Sequence, residues 1–285
     1  MELKASIVIT TKNRKDELTK AIESCLIQKG NPEILIFDDG SDDGTYEFVK
    51  TKYPTIKIHR ELNSLGLINA RTKAATLVTG DIIFSIDDDA IFSKDNIIKD
   101  TIKDFENTLI GAVAIPLINI NYSPEIIQLA PNSKDVFFTR QFIGTAHALR
   151  KNIFIKIDGY RKFLVRQGEE MDYCIRMLDA GYMVKLGSSN PIIHFESPIR
   201  DRKMIKYFEA RNNIIFILQN VPLVFLFIHL IMNIYNLLYK GGPCYNIVLK
   251  GIISGFNDFI ILAEIKRRPV SIKTYFKHRK LKVNR

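Results

Sequence analysis

Between residues 6 and 89 the chain alternates, four times over, a short β-branched apolar run with a stretch of helical or turn-rich spacing. The runs are Ser6–Thr11 (SIVITT), Glu33–Asp38 (EILIFD), Ile56–Arg60 (IKIHR) and Asp81–Ile86 (DIIFSI). Residues 15–28 place Leu18, Ile22, Cys25 and Leu26 on one helical face. Gly40–Thr45 is a turn before a further helix, and Leu67–Val78 repeats small apolar residues at helical spacing. Such alternation predicts βαβ units, hence an α/β fold around a mainly parallel sheet. At 285 residues the chain is long enough for one large or two modest domains. Its 46% apolar and 25% charged residues exclude a disordered, collagen-like or coiled-coil chain.

In parallel sheets, ligands bind beyond the carboxyl ends of the strands, where the strand order switches. Polar residues gather at three such ends. Thr10, Thr11 and Asn13 follow the first strand, Asp38 and Asp39 end the second, and Asp87-Asp88-Asp89 end the fourth. Three adjacent carboxylates repel, so at least one is expected to hold its proton more tightly than usual unless a cation intervenes. Mg²⁺ or Mn²⁺ bound with a diphosphate satisfies that demand, because hard cations take carboxylates together with phosphate oxygens. Alone, the triplet reads equally well as a solvated acidic turn capping the next helix. Asp39 and Arg71 favour the nucleotide reading by adding an acid for a base or ribose and a cation for phosphate. There is no GxGxxG or Walker loop, which argues against a dinucleotide enzyme or a P-loop NTPase.

Four segments, SIVITTKNR (6–14), IFDDGSDDGT (36–45), NSLGLINAR (63–71) and FSIDDDA (84–90), occur in the order and spacing of the family 2 glycosyltransferases, which the chain resembles. The second half resembles the same family in residues 143–163, 168–182, 192–198 and 207–214. The resemblance covers roughly residues 5–215 and implies the GT-A fold: a Rossmann-like nucleotide-binding half over residues 1–118 and an acceptor half over 119–212. It implies nucleotide-binding roles for Thr10, Asn13, Arg14, Asp39, Arg71, Asp87 and Asp88. It implies Asp87 and Asp89 as the outer acids of a DXD motif, with Asp89 the direct ligand of Mn²⁺ or Mg²⁺ and His194 joining the metal or the diphosphate. Glu170, beside Glu169, matches the catalytic base of the family's Glu-Asp pair, one methylene longer. Lys12 stands where members often carry an aromatic that stacks on the base, so UDP and dTDP donors both remain open.

Read without the resemblance, Glu169, Glu170 and Asp172 are acids in the first turn of an amphipathic helix, where its dipole favours them. Met171, Cys174, Ile175 and Leu178 would face inward, and Asp172 with Arg176 would form a surface or helix-positioning pair. His194 in an apolar run reads as a core or edge residue. Arg211 reads either as an active-site cation or as the last charge before an apolar segment, and residues 119–142 as part of an acceptor wall. His59, His147 and His229 suggest no function. With the family roles in place, the expected chemistry is a single displacement. A metal neutralises the leaving diphosphate, Glu170 deprotonates the acceptor hydroxyl, and the anomeric centre inverts.

The net charge of +10 is concentrated at one end: residues 266–285 hold nine Lys and Arg and no acid, leaving the rest nearly neutral. That pattern argues against a nucleic-acid partner, whose binding face would be basic. Residues 212–239 carry no charged side chain, yet Gln219, Asn220, Pro222, His229, Asn233 and Asn236 interrupt them. Residues 245–265 form a second stretch, weakened by Lys250, Asp258 and Glu264. Residues 213–265 therefore read as amphipathic helices lying in a membrane interface, and the basic 266–285 tail as resting on anionic headgroups. A helical hairpin packed on the domain is the alternative, and a true span ranks third. Cys25, Cys174 and Cys244 show no metal spacing and read as reduced thiols. The N-terminal residues lack the pattern of a signal peptide.

Together these readings predict an inverting, metal-dependent hexosyl- or deoxyhexosyltransferase, peripheral at the cytoplasmic face of the membrane. It would use a nucleotide-sugar donor and a saccharide or lipid-linked acceptor in envelope polysaccharide synthesis. The rivals are a sugar nucleotidyltransferase and a catalytically inactive GT-A-like module that binds a membrane or partner.

Overall fold

The computed structural model describes residues 3–197, 201–262 and 266–282. Pro198 at the end of one matched segment, Glu264 and Ile265 of the second apolar stretch, and the last three tail residues lie outside them. The first half follows the expected alternation: β1 (Ala5–Thr11), α1 (Lys15–Leu26), β2 (Glu33–Asp38), α2 (Thr45–Lys52), β3 (Lys57–Arg60), α3 (Leu67–Leu77) and β4 (Ile82–Asp87). Next come β5 (Ala90–Phe92), α4 (Ile97–Lys103), β6 (Ile110–Ala114), β7 (Leu117–Asn119), β8 (Ile126–Ile127), β9 (Phe138–Thr139) and β10 (His147–Arg150). Then α5 (Lys151–Lys156), α6 (Glu169–Asp179), β11 (Met183–Leu186) and β12 (Ile192–His194) complete the sheets. The chain continues as α7 (Arg202–Asn220), α8 (Leu223–Gly241), α9 (Tyr245–Ile261) and α10 (Ile272–Lys280).

The main sheet has the order β3-β2-β1-β4-β10-β6-β11-β9. Strands β3, β2, β1 and β4 are parallel, and β10 enters antiparallel between β4 and β6. The order reverses at β1, whose successor β2 lies on one side and β4 on the other, so the crevice opens at their carboxyl ends. Alternate residues of β1 serve opposite layers: Ile7 and Ile9 pack with Leu18 and Ile22 of α1, while Val8 packs with Ile68 and Ala74 of α3. Leu26 is the exception to the expected α1 face; at the helix's last residue it is exposed. A second sheet, β5-β12-β7-β8, lies beside the first.

The C-terminal helices divide between domain and solvent. Helix α9 packs on α7 through Gly251 and Gly255, and a Cβ at Gly255 would meet the Arg211 carbonyl oxygen at 2.7 Å. Arg211 faces α9, its Nε donating to Asp258 at 2.6 Å. The basic end also docks: Val270 N–H donates to the Asn220 carbonyl at 2.9 Å, and Tyr275 and His278 of α10 are buried. Lys273, Lys277 and Lys280 remain exposed. Helix α8 turns Val224, Phe227, Ile228, Ile231 and Tyr235 outward. Helices α8 and α9, broken at Gly242 (φ +48°), together span Leu223–Ile261, a stretch long and apolar enough to cross a membrane, whose most apolar window has a mean hydropathy of 1.5 and is not buried.

Candidate functional site

Register assembles the site. Thr10 pairs with Asp87 across β1 and β4, and Thr11 with Asp38 across β1 and β2, so three strand ends meet at one edge. The loop after β1 turns through Asn13 at φ +54°, a conformation asparagine tolerates. Asn13 braces this loop to the next one: its amide donates to Ser41 Oγ at 3.0 Å, and its Oδ1 accepts from Asp42 N at 2.9 Å. Its side chain does not line the cavity described below. Asp39 accepts from Ser64 Oγ at 2.6 Å, Leu65 N at 2.7 Å and Gly66 N at 3.0 Å, which fixes the entry to α3.

The three aspartates receive different partners. Buried Asp88 accepts from Thr11 Oγ1 and from Arg14 Nη1, each at 2.8 Å. Burial nevertheless pushes its carboxyl up to about 7, against the pull of Arg14. Asp87 and Asp89 add to this rise in the direction that crowding of the triplet predicts, but burial is its main cause. Asp89 lies opposite His194 because β5 pairs antiparallel with β12, matching Ala90 to His194. Its Oδ1 is 3.0 Å from His194 Nε2, and Arg14 Nη1 is 3.0 Å from its Oδ2. Burial alone would raise the Asp89 carboxyl, but His194 and Arg14 outweigh it and hold it at about 2. Asp87 is ion-paired to buried Arg71 of α3.

Ligand atoms of Asp87, Asp89 and His194 all lie within 4.8 Å of one another. Two carboxylates at that spacing suit a hard cation such as Mg²⁺. Two oxygens and one imidazole nitrogen also suit Mn²⁺. The donor set therefore fits the expected cation.

A second group of acids, which does not line the cavity described below, lies at the start of α6. The chain reaches it through Val165, Gln167 and Gly168, all at positive φ. For a β-branched valine that conformation is strained and needs support from its surroundings. Asn212 of α7 supplies support, its Nδ2 donating to the carbonyls of Leu164, Arg166 and Gln167 at 2.9, 2.6 and 2.7 Å. Buried Glu169 lies 3.7 Å from Arg71 Nη1, and its Oε2 has no partner. Glu170 is half-buried beside it. Burial first, and the Glu169 charge second, raise the Glu170 carboxyl above its usual range; Arg71 opposes the shift. Gly144 leaves room for this group: a Cβ there would lie 2.5 Å from Glu170 Oε1 and 2.8 Å from Arg71 Nη1. Behind Arg71, His147 Nδ1 faces the Ile143 carbonyl at 3.3 Å and its Nε2 faces Tyr160 Oη at 3.1 Å.

A cavity of about 730 Å³ opens over the strand ends. Thr10, Arg14, Asp39 and all three aspartates line it. So do Ser64, Val165, Arg166, Met204 and Phe208, which the sequence reading did not single out. Ser64 and Phe208 had a signal, since they sit within the 63–71 and 207–214 segments; Val165, Arg166 and Met204 owe their place to the fold. Among the described residues none from 119–142 lines the cavity, and Tyr122 is exposed. Arg211 does not reach it, since Asp258 holds its guanidinium. Asp172 is 2% exposed, so its pair with Arg176 is a buried one, shared with Arg161 and Asn220, rather than a surface one.

Comparison with known proteins bears on the family and the fold. The family model described as glycosyl transferase family 2 matches residues 6–166. A glucosyl-dolichyl phosphate glucuronosyltransferase of Haloferax volcanii is 26% identical over 203 residues, covering 62% of this chain and 64% of that protein. The O-antigen chain rhamnosyltransferase RfbN of Salmonella typhimurium is 21% identical over 239 residues, covering 73% and 71%. Among solved structures, the mannosyltransferase PcManGT of Pyrobaculum calidifontis, in complex with GDP-Man and Mn²⁺, superposes with a TM-score of 0.63 at 15% identity, covering 90% of this chain and 76% of that one. TarS 1–349 of S. aureus in complex with UDP-GlcNAc gives 0.63 at 17% identity, covering 89% and 81%. The fold is GT-A.

Proposed function

Because the chain belongs to glycosyl transferase family 2, we propose that it is an inverting, metal-dependent glycosyltransferase. It moves a hexosyl or deoxyhexosyl group from a UDP or dTDP donor to a saccharide or lipid-linked acceptor. The observation that carries this reading is the meeting, around Arg71, of the strand-end acids with a carboxyl group whose proton affinity is raised.

The nucleotide sugar enters the 730 Å³ cavity, where Thr10 and the loop held by Asp39 present polar groups to the base and ribose. Asp89, Asp87 and His194 would hold Mn²⁺ or Mg²⁺. The bound cation supplies Lewis acidity toward the leaving diphosphate. Arg71 holds Asp87 in place and adds positive charge between the two halves of the site. Glu170 accepts the proton of the acceptor hydroxyl as that oxygen attacks the anomeric carbon. Its raised proton affinity suits this task, and Arg71 lies beside it over Gly144. Val165, Arg166, Met204 and Phe208 wall the cavity and limit the access of water that would hydrolyse the donor. One base opposite one leaving group gives one displacement and inversion.

The outward apolar face of α8 and the exposed lysines of α10 support attachment at the cytoplasmic face of a membrane, where envelope polysaccharides are assembled on lipid-linked acceptors.

The test is donor binding and hydrolysis by the purified protein, screening UDP-, dTDP- and GDP-sugars with Mn²⁺, Mg²⁺ or EDTA. Asp89→Ala should abolish metal-dependent binding. Glu170→Gln should bind donor normally and turn it over at least 10²-fold more slowly. If no nucleotide sugar binds with either metal, the proposal fails and the binding-module rival replaces it.

A further inference from the structure

Among the described residues, three cations line the cavity over the strand ends: Lys12, Arg14 and Arg166. Arg14 is committed, its Nη1 shared between Asp88 and Asp89. Arg166 is not. Its Nη1 donates to the Met204 thioether at 3.3 Å, and it forms no ion pair among the described residues. A thioether is a weak acceptor, whereas a guanidinium carries five N–H donors. The backbone around Arg166 is unusual as well. Val165 lies at φ +60° and Gln167 at φ +66°, conformations that are strained for residues with a Cβ and that cluster at ligand clamps. Asn212 holds this turn through the carbonyls of Leu164, Arg166 and Gln167. The fold thus maintains a strained turn whose middle residue lines the cavity with its guanidinium almost unpaired.

A planar guanidinium binds phosphate oxygens through two parallel N–H bonds, which an ammonium such as that of exposed Lys12 cannot do. The place of Arg166 in the chain says which phosphate it meets. The ends of β1 and β2 take the nucleoside in the reading above, whereas Arg166 stands just before Glu169 and Glu170. Burial raises the Glu169 carboxyl, Arg71 opposes that rise, and the Arg166 charge adds to the opposition. Arg166 therefore lies toward the end of the cavity where the sugar would react. Resting on the glycosyltransferase reading, we infer that Arg166 binds the donor's diphosphate at the phosphate that carries the sugar, exchanging the Met204 sulfur for phosphate oxygens. The same contact fixes the turn that leads into the acids of α6, so donor binding and the placement of the base share one short segment.

The experiment measures, by calorimetry on the full chain with Mn²⁺, the affinities for the diphosphates and the monophosphates of uridine, deoxythymidine and guanosine. Arg166→Gln should weaken the diphosphate that the wild type binds at least tenfold, as expected for loss of hydrogen bonds to a charged group. It should weaken the matching monophosphate less than threefold, and its melting temperature should match the wild type, since the side chain is exposed. Arg166→Lys keeps the charge without the fork and should recover only part of the loss. Lys162→Gln changes an exposed charge nearby that does not line the cavity and should stay within twofold. Three results would overturn the inference: unchanged diphosphate affinity in Arg166→Gln, equal losses for diphosphate and monophosphate, or the selective loss appearing in Lys12→Gln instead. A wild type that binds none of the diphosphates would overturn the glycosyltransferase reading itself, and this inference with it.

Discussion

Gly144 is the position at which the smallest chemical change should do the most damage. A methyl group there would sit 2.5 Å from Glu170 Oε1 and 2.8 Å from Arg71 Nη1. Ordinary contact begins near 3.4 Å, so both groups must give way, Glu170 by about 0.9 Å and Arg71 by about 0.6 Å. Alanine itself is not strained at this position, because the backbone is not in the left-handed region. Nor can Arg71 yield freely, being buried and ion-paired to Asp87. The displacement therefore falls mainly on the base. A misplacement near 1 Å at a reacting group costs about 10²-fold in rate, or about 2.7 kcal/mol of barrier. Gly144→Ala should thus lower the turnover of a nucleotide-sugar donor about 10²-fold. Its affinity for the donor, measured with Mn²⁺ by calorimetry, should change less than threefold, and its melting temperature should stay close to that of the wild type. Turnover within threefold of the wild type would refute the placement of Glu170 as the base against Arg71. A parallel loss of donor affinity would refute the separation of base from nucleotide cavity.

Other outcomes follow from the same geometry. Asn212→Ala removes three hydrogen bonds that hold the strained Val165–Gln167 turn, so it should weaken donor affinity and cost about 2–4 kcal/mol in urea unfolding; unchanged stability would show that the turn holds itself. Gly255→Leu forces a side chain into the Arg211 carbonyl and should detach α9, seen as faster amide exchange along Tyr245–Ile261 with the sheet strands unaffected. Buried His147 is pushed down to about 3 by burial and by the Arg71 charge, and buried His278 reaches about 3 through burial and Arg140. An unfolded histidine titrates near 6.5, so their share of stability is complete above that pH and is lost as pH falls toward 3, by ~1.4 kcal/mol per pH unit for each. Melting temperatures should hold from pH 8 to 7 and fall below 6, and His147→Gln should flatten the fall.

The β1–β4 half was legible because its signals are local. Each strand is an apolar run, each strand end carries its polar residue within the same ten residues, and parallel pairing leaves little freedom in register, so Thr10 arrives beside Asp87. The rest of the site depends on long-range pairing that periodicity does not encode. His194 meets Asp89 across 105 residues only because β12 docks antiparallel on β5. Gly144 matters only because Glu170 and Arg71 converge on it from different helices. Arg211 and Asp172 were ambiguous for a related reason: a charged residue on a helix announces its charge but not which neighbour will face it. Asp258 and Arg161 are those neighbours, 47 and 11 residues away.

The C-terminal third shows the same limit in a sharper form, because an apolar stretch with a basic end obeys one pattern whether protein or lipid covers it. Helix α9 resolves toward protein. Its glycines allow a backbone approach to α7 that no lipid would require, and its Asp258 neutralises Arg211. Helix α10 resolves toward both, burying Tyr275 and His278 against the domain while Lys273, Lys277 and Lys280 face outward. Helix α8 is left with an uncovered apolar face, and its polar interruptions serve a cavity. Docking α10 against that cavity holds its cations beside the apolar face of α8. Those are the two elements that interfacial binding combines, buried apolar area and attraction to anionic headgroups. Packing on the domain and the proposed membrane attachment therefore do not compete: α10 is buried through Tyr275 and His278 while its lysines stay outside.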